Sequence, residues 1–384
     1  MSALAASALG LVLGLSAGPR AAGAATDSAR EPVERRAVAR AWRAYVRRFI
    51  QRDGRVVDWS DGGVTTSEGQ SYALVRAAWA GDRRTFDRVL GWTRDNLQGG
   101  DPVALPAWRW GQHEGAWGVI DPNPAADADV WMAYALLLAA ERWGDPAHAE
   151  QARGLMGAIW DAEVAEVGPW TLLLPGPWAV GQDPVRLNPS YLLPFAFRAF
   201  AAADPAHDWM ALVDGSYGLL AALMPYGRLP SDWVHLDPAT GLRAADPADA
   251  PADSPHHGWE AFRVAWTLAA EARWYDEPRA HALLATYGLL TARYAADGRI
   301  GAVVDVQGAP RVAYGSAGFH GCLLAAWSVT HPADAARLFD REIAPLAGPD
   351  GRGGWGGRDD YYGQNWTWLG VAFRAGVARP PEGL

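Results

Sequence analysis

The chain has 384 residues, half of them hydrophobic and a fifth charged, enough to bury a sizeable core in one large domain or two ordinary ones. Its 43 acidic side chains against 34 basic ones give a formal charge of -9, and no basic stripe stands ready for a phosphate backbone, which excludes nucleic acid as a partner. The single cysteine, Cys322, excludes an internal disulfide and a cysteine-based metal site, and its small apolar surroundings read as core.

In chain order, residues 1–25 read as a secretory signal. An apolar run from Ala3 to Ala17 precedes the small residues Ala22, Gly23 and Ala24, which offer a cleavage site, although no Lys or Arg stands before the run. Export to the periplasm or the medium is the expectation, with a loose polar stretch over 26–34. From residue 35 helical periods dominate. They predict helices over 37–52, 66–80, 84–96, 124–143, 146–161, 189–203, 207–224, 259–274, 278–295, 316–329, 332–343 and 361–375. Loops rich in Gly, Pro, Asp and Trp separate them, the longest over 98–123 and 225–258. Strand signals are confined to 170–174 and 300–304. No later segment is apolar over a bilayer's width, and no phosphate fingerprint, heptad repeat or interdomain linker interrupts the pattern. One all-α domain over 26–384 is the simplest reading.

Tryptophan is the compositional outlier, with 21 copies. Its large ring seeks burial while its N–H seeks a partner, so most should be core, and a handful suit a cleft that stacks the flat apolar faces of sugars.

Three carboxylate segments can carry chemistry. In TSEGQSY at 66–72, Thr65 and Glu68 have the spacing of a capping box, yet Glu68 also shares an inward helical stripe with Tyr72, Val75 and Trp79. A carboxyl among aromatics loses solvation and keeps its proton, as a general acid must. In the run 123–136, Asn123 and Pro124 read as cap and first helical residue, placing Asp127 and Asp129 where they complement a helix dipole. In GWEAFRVAW at 258–266, Glu260 and Arg263 have the spacing of a helix-surface ion pair. His256 and His257 just before them diverge in direction and have no ligand cluster nearby, so no metal is expected.

Two of these stretches, TSEGQSY at 66–72 and DADVWMAYALLLAAERW at 127–143, resemble the signatures of glycoside hydrolase family 8. LPAWRWG at 105–111 and LNPSYLLP at 187–194 are similar to the periplasmic endoglucanases that accompany bacterial cellulose synthase. The likeness spans nearly the whole chain after the leader and keeps its motifs in order. It implies an (α/α)6 barrel with a cleft across one end, making 26–384 a catalytic domain that cuts β-1,4-glucan internally, with inversion and without a cofactor. It also implies a functional link to a cellulose synthase complex. Position by position, Glu68 matches the proton donor and Asp127 the acidic residue that holds the sugar beside the scissile bond. WEAFR at 259–263 matches the family's Tyr-Asp-Ala-x-Arg, so Glu260 stands where the water-activating Asp is expected and Arg263 where that carboxylate is oriented. Trp108, Trp110, Tyr191, Trp233 and Tyr361 are the candidate sugar platforms. Xylan, chitosan or mixed-linkage glucan are alternative substrates, and a glucan-binding protein without turnover is the alternative of another class.

Overall fold

A computed structural model of the chain describes residues 20–237, 241–245, 255–347 and 354–382, with the backbone alone over 20–32 and 243–245. Thirteen α-helices lie among the described residues: α1 (Arg20–Phe49), α2 (Ser67–Ala80), α3 (Arg83–Asn96), α4 (Ala126–Trp143), α5 (Pro146–Glu163), α6 (Pro194–Ala203), α7 (Trp209–Leu223), α8 (Arg263–Tyr275), α9 (Pro278–Leu284), α10 (Leu289–Asp297), α11 (Ala317–Thr330), α12 (Pro332–Leu338) and α13 (Tyr361–Arg374). None of the described helices is long and apolar enough to cross a membrane.

The inner ring runs α2, α4, α6, α8, α11, α13 and back to α2, each helix packing on the next. Outside it α1 covers α13 and α2, α3 covers α2, α5 covers α4, α7 covers α6, α9 covers α8 and α12 covers α11. Twelve helices paired in this way form an (α/α)6 barrel. Buried on nearly every face, the inner helices lack an amphipathic stripe, which is how a helix hidden all round reads.

Aromatic side chains fill the barrel axis. Trp131 of α4 stands 5.7 Å from Trp266 of α8 and 6.3 Å from Trp366 of α13, and Tyr72 of α2 meets Trp131 edge-on at 6.2 Å. Trp131, Trp209, Trp266, Trp327, Trp366 and Trp368 are fully buried. Three of these indole N–H groups find carbonyl partners: Trp266 donates to Leu369, Trp368 to Val38 and Trp327 to Tyr287, at 3.1, 3.0 and 3.1 Å. Two inner helices stop where a glycine enters the left-handed region, Gly81 after α2 at φ 72° and Gly144 after α4 at φ 61°. At the first of them the Arg142 guanidinium fills the space a side chain would need.

Several elements depart from the sequence reading. The helix expected from 37 starts at Arg20 and includes the stretch expected to be loose, since its Ala- and Arg-rich composition favours helix. Of the expected leader, residues 1–19 lie outside the described residues. Both long loops contain hairpins: β2 (Arg109–His113) pairs with β3 (Ala116–Asp121), and β7 (Trp233–Asp237) with β8 (Gly241–Ala245). Neither face of β2 and β3 is well buried, so their sequence carries no alternation to reveal them. Short β1 (Thr65–Thr66) adds to β2 beside the start of α2. The remaining strands are β4 (Val164–Val167), paired with β5 (Trp170–Leu173) where a strand was expected, β6 (Val185–Leu187) on β7, and β9 (His256–His257) on β10 (Val304–Asp305). The helix expected from 259 starts at Arg263, leaving Glu260 in a turn.

Candidate active site

The first turns of α2, α4, α8 and α13 and the turn before α6 meet at one end of the barrel, where helix N-termini favour negative charge. Glu68, Asp127 and Glu260 converge there on one guanidinium, that of the buried Arg263. Its Nη1 donates to Asp127 Oδ2 at 2.9 Å and to the Tyr72 hydroxyl at 3.2 Å, and lies 3.8 Å from Glu68 Oε2. Its Nη2 donates to Ser190 Oγ at 2.6 Å and to Glu260 Oε2. Asn188 Nδ2 donates to the same Glu260 oxygen at 3.1 Å, so that oxygen is held twice. Arg263 is therefore no partner in a surface ion pair; it is the hub of a buried network.

Nor does Glu68 take part in a cap. The N-cap of α2 is Thr66, whose hydroxyl accepts from Gly69 N–H at 3.0 Å, while the Thr65 hydroxyl donates to Val56 O at 2.6 Å. Asp127 lies in the first turn of α4 behind Ala125, not behind Asn123, and its Oδ1 accepts from Ala128 N–H at 2.9 Å.

One guanidinium faces three carboxyls, so two of them are left without a matching charge. Burial, opposed by Arg263 and aided by Asp127 and Glu260, pushes the Glu68 carboxyl up to about 8. Although 23% of its side chain remains exposed, its Oε1 is buried without a hydrogen-bond partner among the described residues. Burial likewise raises Asp127 to about 6 against the pull of Arg263. Burial works against the charge on Arg263, but Glu260, Tyr362, Tyr72 and Asp127 hold it firmly protonated. The carboxyl in the loosest contact with the guanidinium, Glu68, is thus the one that keeps a proton near neutral pH.

The family model for glycosyl hydrolases family 8 matches residues 25–376. The chain belongs to glycosyl hydrolase family 8. It is 44% identical over 204 residues to an endoglucanase of Xanthomonas axonopodis pv. citri, a match covering 52% of this chain and 53% of that one, so it spans about half the relative's length. Among solved structures, the endo-1,4-D-glucanase of Vibrio fischeri ES114 superposes with a TM-score of 0.75 at 32% identity over 87% of this chain and 94% of that one. The endo-beta-1,4-glucanase of Acetobacter xylinum gives 0.71 at 26% identity, over 89% and 98%.

In this family-8 barrel the structure brings Glu68, Asp127, Glu260, Arg263 and Tyr191 together; the Tyr191 ring lies 5.4 Å from the Arg263 guanidinium and 5.9 Å from half-buried Trp233. Trp108 is half-buried next to α2, its carbonyl accepting from Ser67 N–H at 2.9 Å. Two expected platforms are otherwise engaged. Trp110 is wedged between Trp92, Trp117 and Arg55, at 5.2, 5.2 and 4.6 Å, and the exposed indole of that hairpin is Trp117. Tyr361 is buried, its hydroxyl 3.3 Å from Thr66 Oγ1, so it braces the cap of α2. Asn188 and Ser190 escaped the sequence reading. Their signal was a pair of polar residues in the otherwise apolar LNPSYLLP run.

Asp129, two residues beyond Asp127, turns into the core against Glu163 at the end of α5, both fully buried. Burial raises Asp129 well above the carboxylate range, and burial pushes Glu163 up to about 8. Two adjacent buried carboxyls cannot both ionise, so the pair keeps a proton that the unfolded chain would release near the ordinary 4.5. Stability should therefore fall as pH rises from there to about 8. Glu163→Gln keeps the shape without titrating, and its melting temperature should gain on the parent between pH ~5 and ~8. Thermal melts at the two pH values check this, and parallel slopes would contradict it.

Proposed function

We propose that the protein is an inverting endo-β-1,4-glucanase, with Glu68 as general acid, Glu260 as general base and Asp127 holding the sugar at the scissile bond. The observation that carries this reading is the unequal sharing of Arg263. Glu68 keeps a proton to give to the leaving oxygen, while Glu260 accepts hydrogen bonds from the guanidinium and from an asparagine amide. With Oε2 held twice, the other Glu260 oxygen is left to take the proton of a water attacking the far face of the ring. In that reaction the C1–O bond breaks as the water oxygen bonds C1, and the configuration inverts. Asp127, tied to Arg263 and to the first turn of α4, suits a hydroxyl of the distorted sugar. The names of the relatives support a β-1,4-glucan as substrate.

Purified protein should release reducing ends from a soluble β-1,4-glucan faster than from xylan or chitosan. Early NMR spectra of a cello-oligosaccharide digest should show the α-anomer first. Initial β-anomer would mean a covalent intermediate and a different assignment of the carboxylates.

The same reading extends to location. Residues 1–25 serve as an export signal and the enzyme works outside the cytoplasm on glucan made by a cellulose synthase complex. The apolar run and the small residues at 22–24 support this. Mass spectrometry of exported material should find a new N-terminus near Ala25 or Thr26, and intact Met1 protein confined to the cytoplasm would reject it.

A further inference from the structure

Glu260 stands in a turn between β9 and α8, yet a base must hold its oxygen to a fraction of an ångström. The turn is gripped from two sides. Asp232, 4% exposed just before β7, accepts with Oδ1 from Gly258 N–H at 2.8 Å and from Ala261 N–H at 2.9 Å, on either side of Glu260. Its Oδ2 lies 3.3 Å from His256 Nε2, and its own N–H donates to His256 O at 3.0 Å. Gly258 leaves room for this carboxylate, because a Cβ there would stand 3.0 Å from Oδ2. Burial works to raise the Asp232 carboxyl, but the bonds from His256, Ala261 and Gly258 outweigh it and hold the group below the usual carboxylate range. From the other side the Tyr362 hydroxyl donates to Trp259 O at 2.7 Å.

We propose that Asp232 and Tyr362 are positioning residues, a two-sided clamp that sets how far the Glu260 carboxylate reaches toward the attacking water. The proposal rests on Glu260 acting as the base. A Glu is one methylene, ~1.5 Å, longer than the Asp of the family pattern, so the backbone that carries it decides where its oxygen falls.

A clamp and a merely structural contact differ in what azide does. Azide needs no base: its nitrogen bonds C1 while the C1–O bond breaks, and the leaving oxygen takes the Glu68 proton. A variant whose base is displaced should therefore regain turnover with azide and form an inverted glycosyl azide. Asp232→Ala, Asp232→Asn, Tyr362→Phe and Glu260→Ala are compared on one cello-oligosaccharide with and without azide. For Asp232→Ala we expect kcat to fall roughly tenfold to a hundredfold with KM within about twofold, and azide to restore turnover. Asp232→Asn keeps an oxygen for both N–H groups and should stay within about threefold of the parent, whereas Tyr362→Phe should lose about threefold to tenfold, again rescued. Parent-like kcat in Asp232→Ala, or a loss that azide leaves unchanged, would overturn the clamp. If Asp232→Ala does not fold, the rescue or non-rescue of Tyr362→Phe decides in the same way. Parent-like turnover of Glu260→Ala would instead remove the base assignment on which the clamp rests.

Discussion

Glu68→Gln is expected to keep the fold and the affinity for cello-oligosaccharide while hydrolysis falls by roughly 10²–10⁴-fold, the usual worth of a positioned acid. Gln fills the same space beside Arg263 and Tyr72 but has no proton to give. Since the cap of α2 is Thr66, no loss of helix stability should accompany the change. The pH profile supplies an independent check. The acid works only when protonated, and its carboxyl is pushed up to about 8, so kcat/KM of the parent should decline as pH rises past about 8. An active Glu68→Gln, or a parent that loses activity only far above that pH, would move the acid elsewhere.

The second large effect is expected at Glu260. Glu260→Ala and Glu260→Gln should be nearly inactive, again by roughly 10²–10⁴-fold, yet still bind cello-oligosaccharide. Glu260→Asp should retain measurable turnover below the parent's. Asn188 and Arg263 are set to meet a Glu oxygen, and retracting it by one methylene misplaces the base without removing it. Rates of the three variants on one soluble glucan decide the matter. Equal activity in Glu260→Ala would reassign the base, and a parent that binds glucan without cutting it would make the protein a glucan-binding one.

How much of this was legible beforehand differs from residue to residue. The inward placement of Glu68 was readable because Tyr72, Val75 and Trp79 recur from it at helical spacing, whereas the burial of nearly every other residue of α2 was not. The cap falls one residue later than the spacing suggests, because adjacent threonines at 65 and 66 are equally good caps and only the fold separates them, engaging the Thr65 hydroxyl with Val56 O. Which rings are free to stack on a sugar is not legible in the sequence, because ring exposure depends on partners distant in the chain: Arg55 and Trp92 for Trp110, Thr66 for Tyr361.

What the sequence by itself determined was the helical class, the approximate spans of most helices and the candidate carboxylates, because periodicity and residue type are local properties. Only the tertiary structure decided which carboxyl keeps a proton. That depends on how three acidic groups, two from helices and one from the turn before α8, divide one buried guanidinium, and charge sharing is set by distances between segments up to 195 residues apart in the chain, as Glu68 and Arg263 are.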